Sequence, residues 1–158
     1  MTDKRFMDLA IEEAYKGIKY GSEGGPFGAV ITKDGLVLAM AHNTVLKNND
    51  PTQHAEMNAI SLASAKLGTY DLSGCVIYST TEPCPMCFSA IHWAKIDRVV
   101  YGTGIDDVKT IGFNELTISA AQMKKQGASP VIVEGGFMYE ECMELLKFWE
   151  TLPNKKVY

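Results

Sequence analysis

Two short segments of the sequence, residues 51–56 and 83–87, contain residue types that bind a metal ion and move protons. The second segment places Cys84 and Cys87 as Cys-x-x-Cys directly after Pro83. If a helix begins at this proline or at the next one, both thiols lie on one face of its first turn. A helix N-terminus favours the thiolate, which is the form of cysteine that binds a metal. The spacing therefore predicts that both sulfur atoms face the same ion.

The first segment supplies a nitrogen ligand and a carboxylate. His54 would be a third ligand, and three protein ligands leave the fourth position of a tetrahedral zinc ion to water, as in catalytic sites. Glu56 is poorly placed as a fourth ligand, because helix positions two apart do not share a face. It could instead carry protons to and from the water, which makes it the predicted catalytic residue. These residue types predict one Zn²⁺ per subunit, with a bound water or hydroxide as nucleophile, on the ligands His54, Cys84 and Cys87.

The alternative interpretation of the cysteines is a structural zinc site, or a reduced thiol pair without a metal. Closed structural sites usually have four Cys or His ligands, often arranged as two close pairs. This sequence instead has a single such pair, a histidine and a carboxylate beside that histidine. A zinc-stabilised binding protein without turnover stays open as an alternative, although a structural site has no use for Glu56.

Composition and charge predict one globular domain over residues 1–158. The hydrophobic fraction is 46% and the charged fraction 22%, and a chain of 158 residues is long enough to bury a core. A net charge of −4 does not indicate the basic surface that binds phosphates, so a nucleic-acid partner is not expected. No apolar run approaches membrane-spanning length, and two of the four cysteines belong to the metal motif. We therefore expect no membrane partner and a reducing, cytoplasmic location.

The elements that must position the two segments alternate between helices and strands. Helical periodicity predicts a first helix through residues 6–18 that stops near 17–21, and Asp34-Gly35 predicts a hairpin. The predicted strands are 27–32, 36–41, 75–79, 98–101 and 130–133, and the further predicted helices are 54–67, 83–94, 115–126 and 138–149. This order predicts an α/β domain with three layers, α/β/α, around a central mixed five-stranded sheet.

The remaining residues are predicted to form loops and caps. Residues 21–26, 47–52 and 102–112 have loop composition, and Thr52 is the expected cap of the helix that begins near His54. His42 follows the second strand without an evident partner. The short polar tail 154–158 is expected to be disordered.

The chain resembles the cytidine-deaminase-like family of zinc deaminases, in the branch that contains cytosine deaminases, bacterial guanine deaminases and tRNA adenosine deaminases. The resemblance covers nearly the whole chain and rests on residues 24–31, 49–56, 82–87, 93–94 and 154–158. The zinc motifs are common to all branches. The Asn-Asp-Pro-Thr run at 49–52 and the ending Asn-Lys-Lys-x-Tyr favour the small bacterial guanine deaminases.

This resemblance implies roles for residues that the metal motif does not explain. Phe27, Asn43 and Trp93 would line the base pocket, although from the sequence alone Phe27 could be a core residue and Asn43 a turn residue. Glu115 would read the base, in a place where the family usually has Asp. Tyr158 would reach into a site, often that of the partner subunit of a homodimer, by exchange of the C-terminal segment 150–158.

The activity that the resemblance implies is hydrolysis of a free nucleobase, most simply guanine to xanthine and ammonia. Guanine presents its N1–H and its exocyclic amine as donors, and an ionised carboxylate such as Glu115 only accepts. The alternatives are a cytosine, other aminated-heterocycle or nucleoside deaminase, and, less favoured by the acidic net charge, an adenosine deaminase acting on tRNA.

Overall fold

A mixed sheet forms the middle layer of the fold. The computed structural model describes residues 2–19 and 22–158, and its strands are β1 (Gly28–Lys33), β2 (Leu36–His42), β3 (Cys75–Thr81), β4 (Arg98–Thr103) and β5 (Ile132–Glu134). The five strands lie in the order β2-β1-β3-β4-β5. β1 is antiparallel to both β2 and β3, whereas β3, β4 and β5 are parallel.

Helices cover both faces of this sheet. They are α1 (Asp3–Lys19), α2 (Val45–Asn48), α3 (Ala55–Leu67), α4 (Pro85–Trp93), α5 (Ile105–Thr110), α6 (Ala120–Gly127) and α7 (Tyr139–Glu150). Neighbouring strand residues point to opposite faces, so Ile31 packs with α3, α4 and α6, while Val30 packs with α1 and α7. The predicted three-layer α/β/α fold with a mixed five-stranded sheet is confirmed. No helix in the described ranges is both long and apolar enough to cross a membrane.

The segment between β4 and β5 differs from its prediction. Residues 102–112 were expected to be a loop, but Gly102 and Thr103 complete β4, and α5 follows them. Ile105 and Val108 are buried on this six-residue helix. A pair of apolar residues on so short an element is too little periodicity to separate a helix from a loop.

The next helix begins later than its prediction. It was expected to start at Glu115, but that residue lies in a loop and α6 begins only at Ala120. Ser119 Oγ accepts a hydrogen bond from the Gln122 N–H at 3.1 Å, and the Gln122 side chain accepts one from the Ser119 N–H at 2.8 Å. This reciprocal cap fixes the start of the helix, and its Ser-x-x-Gln spacing was the available sequence signal.

One further prediction, for Thr52, is wrong, whereas His42, expected as a loop or strand-end residue, does end β2. Thr52 does not cap α3, because its hydroxyl donates to Asp50 at 2.6 Å and the cap position is occupied by His54. His42 does have partners, since its ring nitrogens lie 2.9 Å from a Glu13 oxygen and 2.6 Å from a Glu23 oxygen. Both carboxylates come from distant parts of the chain, so no local pattern indicated them. The first two residues of the loop predicted over 47–52 instead form the end of α2. For the loop predicted over 21–26, position 21 lies outside the described residues.

Candidate active site

Two helix N-termini bring the predicted metal ligands together. His54 is the N-cap of α3 and Cys84 the N-cap of α4, and Pro85 at the first position of α4 confirms the predicted helix start. The ligand atoms of His54, Cys84 and Cys87 all lie within 4.8 Å of one another. His54 Nδ1 is 3.6 Å from the sulfur of Cys84 and 3.5 Å from that of Cys87. Residues that are 30 positions apart in the chain thus form one compact cluster.

The chemistry of this cluster fits a zinc ion. Hydrogen bonding from Cys87, reinforced by His54 and opposed by burial, lowers the pKa of Cys84 to about 4, so this thiol is ionised at neutral pH. The same contact raises the pKa of the Cys87 thiol. A bound zinc ion deprotonates a coordinating thiol, so two thiolates and an imidazole can act as ligands together. That donor set suits zinc and leaves a coordination position free for water.

Glu56 lies beside the cluster on the first turn of α3, where it is 5% exposed. Burial raises the pKa of its carboxyl group above the usual value, which suits a group that must both accept and return a proton. Ser79 on β3 is fully buried, and its hydroxyl lies 2.8 Å from Glu56 Oε1 and 2.6 Å from the Thr81 carbonyl oxygen, so its one proton is shared between these two acceptors. Ser79 was not predicted as a site residue, and the available signal was its hydroxyl in an otherwise apolar strand.

A cavity of about 370 Å³ opens over the cluster and Glu56. This volume lies within the usual range for small-ligand pockets, roughly 300–1,000 Å³. Three of the residues predicted to contact the base line this cavity: Phe27, Glu115 and Tyr158. Phe113, which was not predicted, lines it as well. The Phe113 ring lies 5.2 Å from the Phe27 ring and 5.2 Å from the Tyr158 ring, so the cavity has an aromatic wall suited to a flat ligand. Burial, followed by the charge of Cys84, raises the pKa of Glu115 to about 7.

The tail folds onto this cavity, so its predicted disorder is wrong. The main-chain oxygen of Tyr158 accepts a hydrogen bond from the Asn114 N–H at 3.0 Å. The Tyr158 hydroxyl accepts another from the Gly25 N–H at 3.2 Å. Contacts with residues far along the chain therefore order a segment whose own composition is polar and featureless.

Asn43 lies beside the cavity and is 1% exposed. Its Oδ1 accepts a hydrogen bond from the Val45 N–H at 3.0 Å, as in a turn. Within the described ranges its Nδ2 atom makes no hydrogen bond of regular geometry, but the amide faces the Tyr158 hydroxyl closely enough to oppose the rise that burial causes in the pKa of that hydroxyl. A buried donor without a regular hydrogen bond is costly, so this amide is suited to an acceptor atom of a ligand. The interpretation of Asn43 as a turn residue is confirmed, and its role in reading the base stays a prediction.

The prediction that Trp93 lines the base pocket is wrong within one protomer. Trp93 is the last residue of α4, is 78% exposed, and lines a separate depression with Pro130 and Ile132. It follows Cys84 by nine residues, which places it roughly 13 Å further along the helix axis and on the opposite helix face.

The layered fold, the Cys-Cys-His cluster and the adjacent buried carboxylate define a zinc-dependent deaminase. Residues 1–103 match the family described as "cytidine and deoxycytidylate deaminase zinc-binding region". The chain belongs to this family, which confirms the predicted zinc cofactor.

Relatives with different substrates share this fold over most of their length. Guanine deaminase of Bacillus subtilis (strain 168) is 38% identical over 158 residues, which is 100% of both chains. A tRNA-specific adenosine deaminase of the same strain is 35% identical over 98% of this chain and 92% of its own. The solved structure of guanine deaminase from Nitrosomonas europaea superposes with a TM-score of 0.87 at 31% identity, over 96% of this chain and 86% of that one.

Proposed function

We propose that this protein hydrolyses guanine to xanthine and ammonia, and that residues 1–158 act as one zinc-dependent deaminase domain. The observation that carries the proposal is the presence of Glu115 in the same cavity as the zinc ligands. With a pKa of about 7, Glu115 is ionised in about half of the molecules at neutral pH, and in that form its carboxylate accepts hydrogen bonds from the N–H groups of guanine, whereas adenine has no N–H at N1. The full-length similarity to the guanine deaminase of Bacillus subtilis supports the same substrate.

The proposed roles follow the positions of the side chains. His54, Cys84 and Cys87 hold the zinc ion, which when bound supplies Lewis acidity and lowers the pKa of water. Glu56 removes a proton from the attacking water, delivers it to a ring nitrogen and then assists the departure of ammonia. Its burial and its hydrogen bond from Ser79 keep this carboxylate aimed at one place.

The remaining cavity residues would bind the base. The Phe27 ring would cover one face of it. Asn43 lies beside the cavity and does not line it, and its amide, which makes no regular hydrogen bond, would turn to an acceptor atom of the ring when the base binds. Glu115 would accept from an N–H donor, and Tyr158 would close the cavity. This arrangement of one donor and one acceptor around an aromatic wall suits a small base better than a tRNA, whose phosphates need concentrated positive charge.

The decisive experiment measures ammonia release by the zinc-loaded protein with guanine, cytosine, adenine and guanosine, and inosine formation in tRNA. We expect turnover of guanine alone. If another base releases ammonia and guanine does not, the assignment of guanine as the substrate is contradicted, but the zinc chemistry still stands. The Glu56→Gln variant should retain zinc and lose nearly all turnover, and unchanged activity would refute the role of Glu56.

We further propose that the protein acts in purine metabolism in the reducing cytoplasm. We also propose that it forms a homodimer whose subunits exchange residues 150–158. The docking of Tyr158 against Phe113 supports an ordered tail of the kind that can be exchanged. Mixing Glu56→Gln and Tyr158→Ala subunits tests the exchange. If Tyr158 acts in the partner's site, mixed dimers regain activity, because one site then has both native residues. If activity does not recover, Tyr158 acts within its own chain. The dimer itself is tested by light scattering, and a result that shows only monomer would contradict it.

A further inference from the structure

A buried carboxylate that has no role in the proposed chemistry connects two loops at the cavity. Glu82 follows β3, is 8% exposed and lines the cavity. Its Oε2 accepts a hydrogen bond from the Ile105 N–H at 2.9 Å, and its Oε1 accepts one from the Ala120 N–H at 2.8 Å. Each carboxylate oxygen thus binds a different part of the chain.

Both donors are the first residues of helices, α5 and α6. N–H groups in the first turn of a helix have no acceptor within the helix, and a negative charge there is favourable. Glu82 therefore supplies the missing acceptor to two helices at once. Between these two anchored points lie residues 111–119, which bring Phe113 and Glu115 to the cavity.

The backbone of Glu82 is itself held firmly. Its N–H donates to the Thr103 carbonyl oxygen at 2.7 Å, which continues the pairing of β3 with β4. Cys84 follows two residues later, so the zinc ligands of α4 begin from the same anchored backbone. Glu82 is thus the shared support of the zinc-binding turn and of the segment that carries Glu115.

We propose that Glu82 is a positioning residue that sets the distance between the zinc ligands and Glu115, and thereby determines which base the cavity accepts. This inference rests on the proposed reading of the base by Glu115. A helix cap without influence on the site would stabilise the fold only. The two cases differ because displacement of Glu115 changes binding and base preference, whereas a simple loss of stability does not.

The test variant is Glu82→Gln. Its amide keeps one acceptor oxygen but turns an NH₂ group toward the other backbone donor, so one end of the 105–120 segment is released. We expect guanine KM to rise by about ten- to a hundredfold, the range for losing one hydrogen bond to a charged group. We expect a smaller change in kcat, unchanged zinc content, and a lower preference for guanine over adenine and cytosine.

The matched control is Asp107→Asn. Asp107 Oδ2 accepts a hydrogen bond from the Gly104 N–H at 2.8 Å, so this residue also caps α5, but it does not line the cavity of the zinc cluster. We expect the control to lower the melting temperature without changing KM or base preference. If both variants lower the melting temperature and leave guanine KM unchanged, the positioning role of Glu82 is refuted.

A second variant covers the case in which Glu82→Gln does not fold. Glu82→Asp keeps the charge but is one methylene shorter, so it cannot reach both donors, and it should raise KM in the same direction; an unchanged KM overturns the proposal. If the wild-type protein deaminates a base other than guanine, the proposed function fails. The Glu82 variants are then compared on that base, where a changed KM still supports the positioning role and an unchanged KM refutes it.

Discussion

The hydrogen bond between Ser79 and Glu56 allows a direct test of how the buried strand supports catalysis. In the Ser79→Ala variant, Glu56 loses a donor that lies 2.8 Å from its Oε1 atom in a fully buried position. A hydrogen bond to a charged group contributes about 1.5–3 kcal/mol. Because about 1.4 kcal/mol corresponds to a tenfold change in rate, kcat should fall by about ten- to a hundredfold.

The pH dependence of Ser79→Ala gives a second measurement. Burial raises the pKa of Glu56, and the Ser79 hydrogen bond partly offsets this effect. Its removal should raise the pKa further, so the acidic limb of kcat/KM should move to higher pH, since Glu56 must be ionised to accept the proton of water. Zinc content should stay unchanged, because Ser79 is not a ligand.

The control for this prediction is Thr103→Val. The Thr103 hydroxyl is also fully buried, and it donates to the Thr80 carbonyl oxygen at 3.1 Å without touching Glu56. Both variants should lower the melting temperature, but only Ser79→Ala should lower turnover. If Ser79→Ala retains kcat within about twofold and its pH profile does not move, Ser79 does not position Glu56, whatever its effect on stability.

Three further predictions concern the stability of the fold. Gly28→Ala should destabilise the protein by about 1–3 kcal/mol, because its Cβ atom would clash with the main-chain carbonyl oxygen of Ala10; an unchanged melting temperature would contradict this packing. Phe113→Ala removes the aromatic wall and should cost about 3–5 kcal/mol in urea unfolding, together with a higher KM. Burial opposes ionisation of Glu13, but the hydrogen bond with His42 and its other partners lower its pKa below 4.5. Its stabilising contribution is therefore present above about pH 4.5 and lost as the pH falls through the lowered value, so Glu13→Gln should lower the melting temperature at pH 7, and this effect should shrink as the pH falls below the lowered pKa.

The sequence predicted what depends on short spacing. Cys84 and Cys87 lie within a single helical turn after a proline, and the His-x-Glu pair has the spacing of a ligand and a proton carrier. The alternation of helices and strands was equally local, so it predicted the layered sheet. These signals need no knowledge of how distant segments meet.

The remaining features depend on contacts between distant residues. Ser79 reaches Glu56 across 23 positions, and Tyr158 reaches Gly25 across 133. Only the folded sheet brings such pairs together, so the support of Glu56 and the ordered tail could not be predicted. For Trp93 the resemblance implied a place in the pocket, but within one protomer the geometry of α4 turns it away from the zinc ligands.

The placement of residues on separate segments also bears on how such proteins diversify. The reactive groups lie where α3 and α4 begin, whereas the groups expected to recognise the base lie elsewhere, at Phe27 and Asn43, on residues 113–116 and at position 158. Mutation can therefore alter recognition while the reactive groups stay unchanged. Relatives that are 38% and 35% identical to this chain, and are named for guanine and for tRNA adenosine, fit such a history. Grafting residues 111–119 between homologues would be the natural way to engineer a new substrate on the same reactive centre.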